Sequence, residues 1–455
     1  MAALIQRPSY FSPYGEYKDE LLTRKDYVLS RMVSCNYLTE EEAQIAKEEV
    51  IEFKSPTGIK APHFVLYLIE NYLKPKYGQD LDYLKENGVK IYTSLDWDMQ
   101  TVAEESVKEG VERNKMYNAH NAALVAISPD NGEILAMVGS ADWFADSYPE
   151  NCISGQDCLF DPKFNVAVGT KDSPGRQPGS TFKPFIYATA FKNGYDSSMQ
   201  VTDEPSNFGV WGDKEYAPQN YDGLYRGWIT LRSSLAQSLN VPSIKTLFLA
   251  GTDEKLEKLG INDYTGMEGT LLQGLEKSID TAKDMGITTL DKPLSSYGPA
   301  IVLGGGEVKL LDITSAYGVF ASGGLLSSPN PILKIEDYDG HILEENKRTP
   351  KRVLSSQVAW QINDILSDNE ARAPMFGPRS HLYFEGYQVA AKTGTTDNYR
   401  DAWTIGYTPS IVVGVWAGNN NNESMTRRQP AATVAGPIFN SFLQKFLPQL
   451  PKEQF

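Results

Sequence analysis

The sequence has few of the residues that usually build metal sites and histidine-based catalytic triads. Among 455 residues there are three cysteines and four histidines. The histidines are scattered along the chain: His63, His120, His341 and His381. Two neighbouring cysteines without a nearby histidine make only half of a typical zinc ligand set. The sequence therefore predicts no metal site and no His-based triad, and it implies no organic cofactor.

The cysteines leave two alternatives open. Cys35 stands alone, whereas Cys152 and Cys158 lie close together in ENCISGQDCLF. A disulfide that closes a small loop would fit an oxidising compartment. Two free thiols in a flexible loop are the other interpretation. We favour the disulfide.

Long apolar runs are also missing. No stretch reaches the roughly 18 consecutive apolar residues of a membrane span. The first residues, MAALIQRPSYFSPYG, lack the basic start and long apolar core of a secretory signal. The chain as written is therefore predicted to be soluble, with no anchor or signal of its own.

Basic residues are outnumbered by acidic ones. The 43 Lys and Arg against 58 Asp and Glu give a formal net charge of −15. Such a balance argues against a nucleic-acid partner, whose phosphates would be repelled. An anionic small substrate stays possible, because local charge can differ from net charge. The length predicts two or three domains.

Residues up to about 118 carry helix and strand patterns but no cluster of chemically active residues. Thr39 and Glu42 form a Thr-x-x-Glu capping box that starts a helix. The spacing of apolar residues and the helix-stop signals predict the other elements. They are helices over 16–34, over 62–78 (ended by Pro75 and Gly78) and over 96–114, and a strand over 89–95.

Beyond residue 121, strand patterns lie at both ends of a helical block. NAALVAISPDNGEILAMVGS predicts a hairpin, and a long polar loop follows over 142–175. Residues 186–330 are predicted to be mostly helical. Strands return in YQVAAKTGTT, AWTIGYT and SIVVGVWAG, and a helix ends the core. We therefore predict an α/β (α+β) fold, in which strands from both chain ends form one antiparallel sheet, flanked by helices, with a helical insert.

A serine and a lysine stand one helical turn apart in RQPGSTFKPF. Ser180 and Lys183 share a helix face. At a helix N-terminus, free N–H groups and the helix dipole can stabilise an oxyanion. A lysine whose pKa is lowered by burial can take the serine proton. An isolated Ser-x-x-Lys is usually a surface helix start with a solvated lysine, but here the motif occurs once and has companions.

The second motif is Lys-Thr-Gly in AAKTGTT. Lys392, Thr393 and Gly394 end an apolar strand. The ammonium and hydroxyl can hold a carboxylate, and Gly394 allows another part of the chain to approach closely. The N–H groups of an edge strand can pair with an extended peptide. Alone, the motif would be read as a strand end with a turn.

The third motif, Ser-x-Asn, is ambiguous because it occurs four times. The pairs are Ser34 and Asn36, Ser238 and Asn240, Ser328 and Asn330, and Ser367 and Asn369. We favour Ser238 and Asn240, where a helix is predicted to stop at Asn-Val-Pro and present both side chains inward. Ser367 and Asn369 are the rival pair.

Ser-x-x-Lys, Ser-x-Asn and Lys-Thr-Gly in this order resemble the penicillin-binding proteins and serine β-lactamases. The surrounding segments resemble the transpeptidase domain of class A (bifunctional) penicillin-binding proteins over residues 119–447. These segments are RQPGSTFKPFIYATAF, LRSSLAQSLNVPSIK, GGGEVKLLDITSAYGVFASGG and AAKTGTTDNYRDAWTIGYTPSIVVGVWAG. The resemblance implies the penicillin-binding protein/serine β-lactamase-like fold.

The resemblance also implies a domain division. Residues 1–50 resemble the C-terminal end of the family's glycosyltransferase domain, 51–118 its linker region, and 448–455 form a tail. The acidic motifs of the glycosyltransferase and the membrane helix are not in this sequence. We therefore expect a truncated form without glycosyltransferase activity. Conversion of a radiolabelled lipid-linked precursor to polymer would contradict that.

The resemblance assigns roles to the motif residues. Ser180 would attack the penultimate D-alanine of a peptidoglycan stem peptide, with Lys183 as general base. Ser238 would relay a proton to the leaving D-alanine, with Lys392 beside it. The remaining residues would bind substrate: Asn240 its backbone, Thr393 and Thr395 its carboxylate, with Gly394 between them. The N–H groups of Ser180 and Thr395 would form the oxyanion hole.

The implied partners are stem peptides and, as covalent inhibitors, β-lactams. Other cell-wall synthesis proteins are possible partners, and membrane association would come only through a segment not in this sequence. The implied location is the extracytoplasmic face of the bacterial cytoplasmic membrane. Two alternatives stay open. One is a D,D-carboxypeptidase or β-lactamase, although the Glu-x-x-Leu-Asn string of class A β-lactamases is absent. The other is a penicillin-binding sensor or an inert scaffold.

Overall fold

The computed structural model describes residues 3, 17–49, 51, 58–426 and 431–455. The chain divides into two compact units, residues 1–60 and 61–455. The proposed boundaries at 50, 118 and 447 stay predictions. Most of residues 1–16, which carry part of the glycosyltransferase resemblance, lie outside the described residues.

Among the described residues of the first unit are the helices Lys18–Ser34 and Glu40–Glu48. The second begins with the predicted capping box. The Thr39 hydroxyl accepts from the Glu42 backbone N–H, and the Glu42 carboxylate accepts from the Thr39 N–H. Both N-terminal donors are thereby satisfied. The helix predicted over 16–34 is confirmed from Lys18 onward, and residue 16 is not described.

A five-stranded antiparallel sheet forms the centre of the second unit. Its strands in chain order are β1 (Asn121–Ile127), β2 (Ile134–Val138), β3 (Ala390–Thr395), β4 (Asp401–Tyr407) and β5 (Val412–Gly418). Their order across the sheet is β3-β4-β5-β1-β2. The predicted sheet from both chain ends is thus confirmed, because β1 pairs with β5 along its whole length.

Both faces of this sheet are buried, which explains the near-continuous apolar strands. Ala123, Val125 and Ile127 face the core shared with the helical insert. The alternate residues of β1 face a second core, built with the helices Trp97–Asn114 and Gly436–Phe446. The period of two along β1 therefore separates two hydrophobic cores.

Four helices of the insert and its surroundings pack near Ser180 or against the sheet. They are α1 (Lys183–Lys192), α2 (Asn240–Gly251), α3 (Leu310–Ala321) and α4 (Asn369–Phe376). Helix α3 lies against the sheet, and a Cβ at Gly414 would stand 2.0 Å from the Thr314 hydroxyl oxygen. Only glycine permits this approach. The other helices of the second unit are Pro62–Tyr67, Lys74–Tyr77, Asp82–Glu86, Trp97–Asn114, Leu231–Ala236, Glu268–Asp284, Ser356–Ser367, Ala431–Val434 and Gly436–Phe446. No described helix is long and apolar enough to cross a membrane.

Residues 186–330 are less uniformly helical than predicted. Gln200–Asp203 pairs with Gly227–Thr230 and with Lys258–Leu259 in a small sheet. Further short strands are Val210–Trp211, Lys214–Glu215 and Leu325–Leu326. Strands this short show no readable alternation, because two to four residues complete at most two periods. Outside the insert, Lys90–Thr93, Ile332–Glu336 and Ile342–Glu345 form a three-stranded sheet, and Lys351–Arg352 pairs with Leu325–Leu326.

The helix predicted over 62–78 does not stop at Pro75. The chain winds through a π-helical segment, Leu68–Leu73, and continues as Lys74–Tyr77. A proline ring inside a helix clashes with the carbonyl four residues earlier and removes an N–H donor. The wider turn before Pro75 relieves both problems. Gly78, at φ +92°, ends the helix as predicted.

The predicted disulfide is confirmed. Cys152 and Cys158 are bonded, in the long loop before α1. The backbones of Tyr148 and Phe160 pair just outside the bond. The loop is therefore closed twice, by the disulfide and by the backbone pairing of Tyr148 with Phe160. The third cysteine, Cys35, is free and exposed.

Candidate active site

The predicted motif residues meet at one cleft of about 590 Å³. Its lining includes Ser180, Ser238, Asn240, Thr393 and Thr395. They come from three segments far apart in the chain. Lys183 and Lys392 are buried directly behind this lining.

Ser180 lies on a short turn of 3-10 helix, Gly179–Phe182, that leads into α1. Lys183 is the first residue of α1. In 3-10 geometry residues i and i+3 eclipse each other, so both side chains leave the same side of the turn. Ser180 is partly exposed and Lys183 fully buried. The hydroxyl thus faces the cleft, and the amine lies in the protein interior.

Glycines let the Ser180 turn touch its neighbours backbone to backbone. A Cβ at Gly394 would stand 2.2 Å from the Pro178 carbonyl oxygen. A Cβ at Gly179 would stand 2.8 Å from the Thr395 nitrogen, and one at Gly304 would stand 2.1 Å from the Gly179 nitrogen. A side chain at Gly394 or Gly179 would push β3 away from the Ser180 turn, and one at Gly304 would collide with the backbone of that turn. The close approach expected at Gly394 is confirmed.

Two aromatic side chains also fix this turn. The Trp403 indole N–H donates to the Gln177 carbonyl at 2.7 Å. The Tyr317 hydroxyl donates to the Thr181 carbonyl at 2.7 Å. Trp403 comes from β4 and Tyr317 from α3, so both cover the turn from fully buried positions. Sequence reasoning did not single them out, because an aromatic residue in an apolar segment first indicates core packing.

The Lys183 ammonium has three oxygen acceptors. Its Nζ donates to the Ser238 carbonyl at 2.7 Å, the Leu239 carbonyl at 3.1 Å and the Asn240 Oδ1 at 2.9 Å. Burial lowers the pKa of Lys183 well below its usual value, and the charge of Lys392 lowers it further. Desolvation therefore favours the neutral amine of Lys183. When Lys183 is protonated, the three oxygens accept hydrogen bonds from its ammonium group.

Lys392 is bound to Ser238 from the other side. Its Nζ donates to the Ser238 Oγ at 2.6 Å and to the Thr393 carbonyl at 2.9 Å. Burial lowers the pKa of Lys392 to about 7. Ser238 thus bridges two buried lysines, through its carbonyl to one and its hydroxyl to the other.

The depressed pKa of Lys392 predicts how stability depends on pH. Between about pH 7 and pH 10 the unfolded chain keeps this proton and the folded chain does not, so stability rises with pH. The advantage in unfolding free energy of wild type over Lys392→Met should grow by up to about 1.4 kcal/mol per pH unit in this range. Urea unfolding of both proteins at several pH values measures it. A constant difference would contradict the shift.

Ser238 has a left-handed backbone, with φ +59°. This conformation is costly for a non-glycine residue and recurs at functional sites. It turns the Ser238 carbonyl toward one lysine and the hydroxyl toward the other. Contrary to the prediction, Asn-Val-Pro does not stop a helix. The preceding helix ends at Ala236, and Asn240 opens α2, because proline is tolerated in the first turn of a helix.

A buried hydrogen-bond network behind the cleft positions Asn240. The N-cap residue of α2, Leu239, has no side-chain acceptor to offer. Instead, Asn220 Oδ1 accepts from the N–H groups of Asn240 at 2.8 Å and Val241 at 3.3 Å. Asn220 Nδ2 donates to both carboxylate oxygens of the fully buried Asp203, at 2.8 and 3.0 Å. A loop residue therefore caps the helix that carries Asn240.

Asn220→Ala is expected to lower the free energy of unfolding by about 2–4 kcal/mol, because it leaves a buried carboxylate and two N–H groups short of partners. Asn220→Asp is the discriminating variant. It keeps the acceptor but places a second carboxylate against Asp203, and one of the two then gains a raised pKa. Its loss of stability should thus be greater at pH 8 than at pH 5. Equal losses of unfolding free energy at the two pH values, measured by urea unfolding, would contradict the network.

The two threonines of β3 differ in their surroundings. Thr393 is buried at the cleft wall. The Thr395 Oγ1 accepts from the Ala431 backbone N–H at 3.0 Å. The structure thus places both hydroxyls at the cleft, on the strand that touches the Ser180 turn.

The rival Ser-x-Asn pairs lie elsewhere. Ser367 and Asn369 line a different cavity, Ser328 is exposed, and Ser34 belongs to the first unit. The favoured pair is the one that lines the cleft with Ser180. The cleft also has lining residues that sequence reasoning missed: Tyr221, Leu303, Met375, Phe376, Asp397 and Tyr399. Tyr221 lies in a loop, and the others lie in α4 or in short 3-10 helices without a motif.

Comparison with known proteins finds a protein family and several relatives that are similar to this chain. Residues 122–444 match the penicillin binding protein transpeptidase domain. Penicillin-binding protein 1A of Aquifex aeolicus is 26% identical over 100% of this chain and 66% of its own length. Penicillin-binding protein 2D of Bacillus subtilis is 27% identical over 100% of this chain and 59% of its own length. The chain therefore spans less than two thirds of these relatives.

Solved structures show the same fold. Penicillin-binding protein 1A from Haemophilus influenzae has a TM-score of 0.74 at 20% identity, covering 100% of this chain and 80% of that one. The PonA1 protein of Mycobacterium tuberculosis in complex with penicillin V has a TM-score of 0.66 at 22% identity, covering 87% of this chain and 96% of that one. At these identities the likeness shows the fold alone.

Proposed function

Since this chain belongs to the penicillin-binding protein transpeptidase family, and to its class A branch, we propose that it is a serine D,D-transpeptidase that cross-links peptidoglycan stem peptides through an acyl-enzyme on Ser180. The observation that carries the proposal is the pair of buried lysines on either side of Ser238, behind a cleft that contains Ser180. This is a general-base arrangement without histidine.

In the first step, the Ser180 Oγ attacks the carbonyl of the penultimate D-alanine and its proton passes to Lys183. The three oxygens around Lys183 Nζ then hold the ammonium that forms. The N–H groups of Ser180 and Thr395 stabilise the negative charge that develops on the carbonyl oxygen. In other acyl transferases each such donor lowers the activation barrier by roughly 3–4 kcal/mol.

In the second step, the C–N bond breaks and D-alanine leaves. Ser238, which accepts a hydrogen bond from Lys392 at 2.6 Å, relays a proton to the leaving amine. Asn240 binds the substrate backbone, while Thr393 and Thr395 bind the terminal carboxylate beside Gly394. An amine of a neighbouring stem peptide then takes the acyl group from Ser180. β-Lactams stop at the acyl-enzyme, because their ring-opened product stays in place of the leaving group.

Water would replace the amine in the alternative, a D,D-carboxypeptidase or β-lactamase. That reaction needs a base for the water. Among the described residues that line the cleft, Asp397 is the one carboxylate, and it is exposed. A buried carboxylate would be better suited to activating water. This favours transfer to an amine over hydrolysis.

The setting of the reaction is also proposed. We place it at the extracytoplasmic face of the bacterial cytoplasmic membrane, where a disulfide such as Cys152–Cys158 persists. The absence of glycosyltransferase activity in residues 1–455 stays a prediction, tested by conversion of a lipid-linked precursor.

Intact-protein mass spectrometry after incubation with benzylpenicillin tests the function. The expected result is one stable adduct, mapped to the peptide that contains Ser180 and absent from Ser180→Ala. No adduct on wild type would contradict the acyl-enzyme. Steady hydrolysis of benzylpenicillin would establish the β-lactamase alternative. A stable adduct without transfer between stem peptides would identify a sensor.

A further inference from the structure

Three buried hydroxyls form a chain that ends at one of the carbonyls around Lys183. They belong to Ser234, Tyr187 and Ser243, each on a different helix. The Tyr187 hydroxyl lies 2.5 Å from the Ser234 Oγ and 3.0 Å from the Ser243 Oγ. The Ser243 Oγ donates in turn to the Leu239 carbonyl at 2.5 Å. The same carbonyl oxygen accepts from Lys183 Nζ at 3.1 Å, so the hydroxyl chain and the lysine share one acceptor.

The direction of donation along the hydroxyl chain follows from the number of hydrogens. A carbonyl oxygen can only accept, so the single hydroxyl hydrogen of Ser243 points at Leu239. The Ser243 Oγ then has only lone pairs left, and Tyr187 must donate to it. With its own hydrogen used, Tyr187 accepts from Ser234. Hydrogen bonds aligned in this way polarise one another. Ser243 is therefore a stronger donor to Leu239 than an isolated serine would be.

The donation from Ser243 disfavours the protonated form of Lys183. Hydrogen bonds to an ammonium normally favour its charged form. Here the positive end of the Ser243 O–H dipole points at the oxygen that the ammonium also uses. The two positive groups repel each other, and the repulsion is strong because both are buried. Ser243 thus weakens one of the three hydrogen bonds that would otherwise stabilise the ammonium.

Other ionisable groups act on the same region. Burial, and to a smaller extent the charge of Lys392 on β3, lowers the pKa of Lys183. Burial, with a smaller contribution from the charge of Asp203, raises the pKa of Tyr187, so this hydroxyl keeps its proton at neutral pH. The Asp203 carboxylate is itself bound by Asn220. The pKa of Lys183 is thus set by burial, by Lys392 and by the hydrogen bonds at its Nζ, and the hydroxyl chain acts on the last of these.

We propose that Ser243 is a positioning residue for acylation: by donating to the carbonyl that Lys183 also uses, it keeps Lys183 neutral and able to take the Ser180 proton. Tyr187 and Ser234 support this role because they orient and polarise the Ser243 hydroxyl. None of these three hydroxyl residues is in the lining of the cleft, so they act through the lysine and not on the substrate. The inference rests on the proposed function, in which Lys183 is the base.

The pH dependence of acylation by benzylpenicillin tests the proposal. On the acid side the second-order rate falls as the base becomes protonated. Ser243→Ala removes the competing donor, so the ammonium of Lys183 is better stabilised and the midpoint of this fall should move up by about half to one pH unit. The rate on the alkaline plateau should equal that of wild type. A rate lowered equally at every pH, with the midpoint in place, would indicate a merely structural role and overturn the proposal.

Two further variants separate the hydroxyl chain from a general effect of buried serines. Tyr187→Phe keeps the Ser243 hydroxyl but removes the donor that polarises it, so the midpoint should move in the same direction by less. Ser278→Ala is the matched control. The Ser278 hydroxyl is equally buried and also donates to the carbonyl four residues earlier, that of Gly274, at 2.6 Å. Its loss should leave the pH profile unchanged, and a shift as large as that of Ser243→Ala would overturn the proposal.

An NMR titration that does not depend on acylation separates this inference from the proposed function. In protein isotopically labelled at the lysine Cε, the signal of Lys183 is identified by its absence from Lys183→Met. Its midpoint should be higher in Ser243→Ala than in wild type, whereas the midpoint of Lys392 should not rise. An unchanged Lys183 midpoint would overturn the role of Ser243 even if Ser180 is acylated. A raised midpoint without any adduct on Ser180 would overturn the proposed function and leave the effect of Ser243 on Lys183 established.

Discussion

Lys183→Met is expected to slow acylation by benzylpenicillin by about 10³-fold, because it removes the base that takes the Ser180 proton. Methionine is neutral and similar in length, so it fills the buried space that Lys183 occupies. The carbonyls of Ser238 and Leu239 lose a donor, but a buried charge disappears at the same time. The fold should therefore survive. The second-order rate of adduct formation, followed by mass spectrometry, measures the effect.

Lys245→Met is the matched control. Lys245 is equally buried, and its Nζ donates to Thr202 Oγ1 at 2.7 Å and Asn262 Oδ1 at 2.6 Å, outside the cleft lining. Burial lowers its pKa to about 8. Its loss should change the acylation rate by no more than about threefold, since it makes no contact with the reacting groups. If Lys183→Met acylated as fast as Lys245→Met, Lys183 would not be the base.

Gly394→Ala is expected to slow acylation by about 100-fold, because a displacement of about 1 Å at a reacting centre has that effect. The added Cβ would meet the Pro178 carbonyl oxygen at 2.2 Å and the Thr181 nitrogen at 3.0 Å. Both are backbone atoms, so neither can rotate away. Strand β3 and the Ser180 turn must separate, and the N–H groups of Ser180 and Thr395 then no longer converge. Overpacking should also lower the unfolding free energy by about 1–3 kcal/mol.

Gly269→Ala is the control for adding a methyl group. Gly269 lies in the first turn of the helix Glu268–Asp284, with nothing within 4 Å of the added Cβ. Alanine should leave acylation unchanged and stabilise that helix slightly. Wild-type acylation by Gly394→Ala would show that β3 can yield without cost and would remove the argument for a rigid contact.

The sequence was most informative about the site where chemistry demands particular residue types at fixed spacing. Ser180 and Lys183 could be paired because three residues span one turn. The choice of Ser238 among four Ser-x-Asn pairs was harder, since the decisive feature is its left-handed backbone. Asn220 could not be found at all. It acts through Asn240, twenty residues away, and no local pattern marks a cap supplied by a distant loop.

Elements of the fold were likewise predictable where a local sequence pattern marks them, and unpredictable where they depend on distant contacts. Strands β1 and β5 were predictable because each is almost entirely apolar, which is typical of a strand buried on both faces. The short pairings around Gln200–Asp203 were not, because their register depends on contacts distant in sequence. Pro75 was read as a stop, since proline normally ends a helix, and the π-helical turn that accommodates it has no sequence signature of its own.

The pairing of β1 with β5 has a consequence for how the protein is made. Ile127 pairs with Val412, and at about 5–20 residues per second synthesis of the intervening chain takes on the order of 15–60 s. Throughout that time the hairpin of β1 and β2 has an apolar edge without its partner, and such edges attract other chains. Slow, non-local pairing of this kind also delays folding. The yield of active protein should therefore depend less on the stability of the finished sheet than on the time between the synthesis of β1 and its pairing with β5.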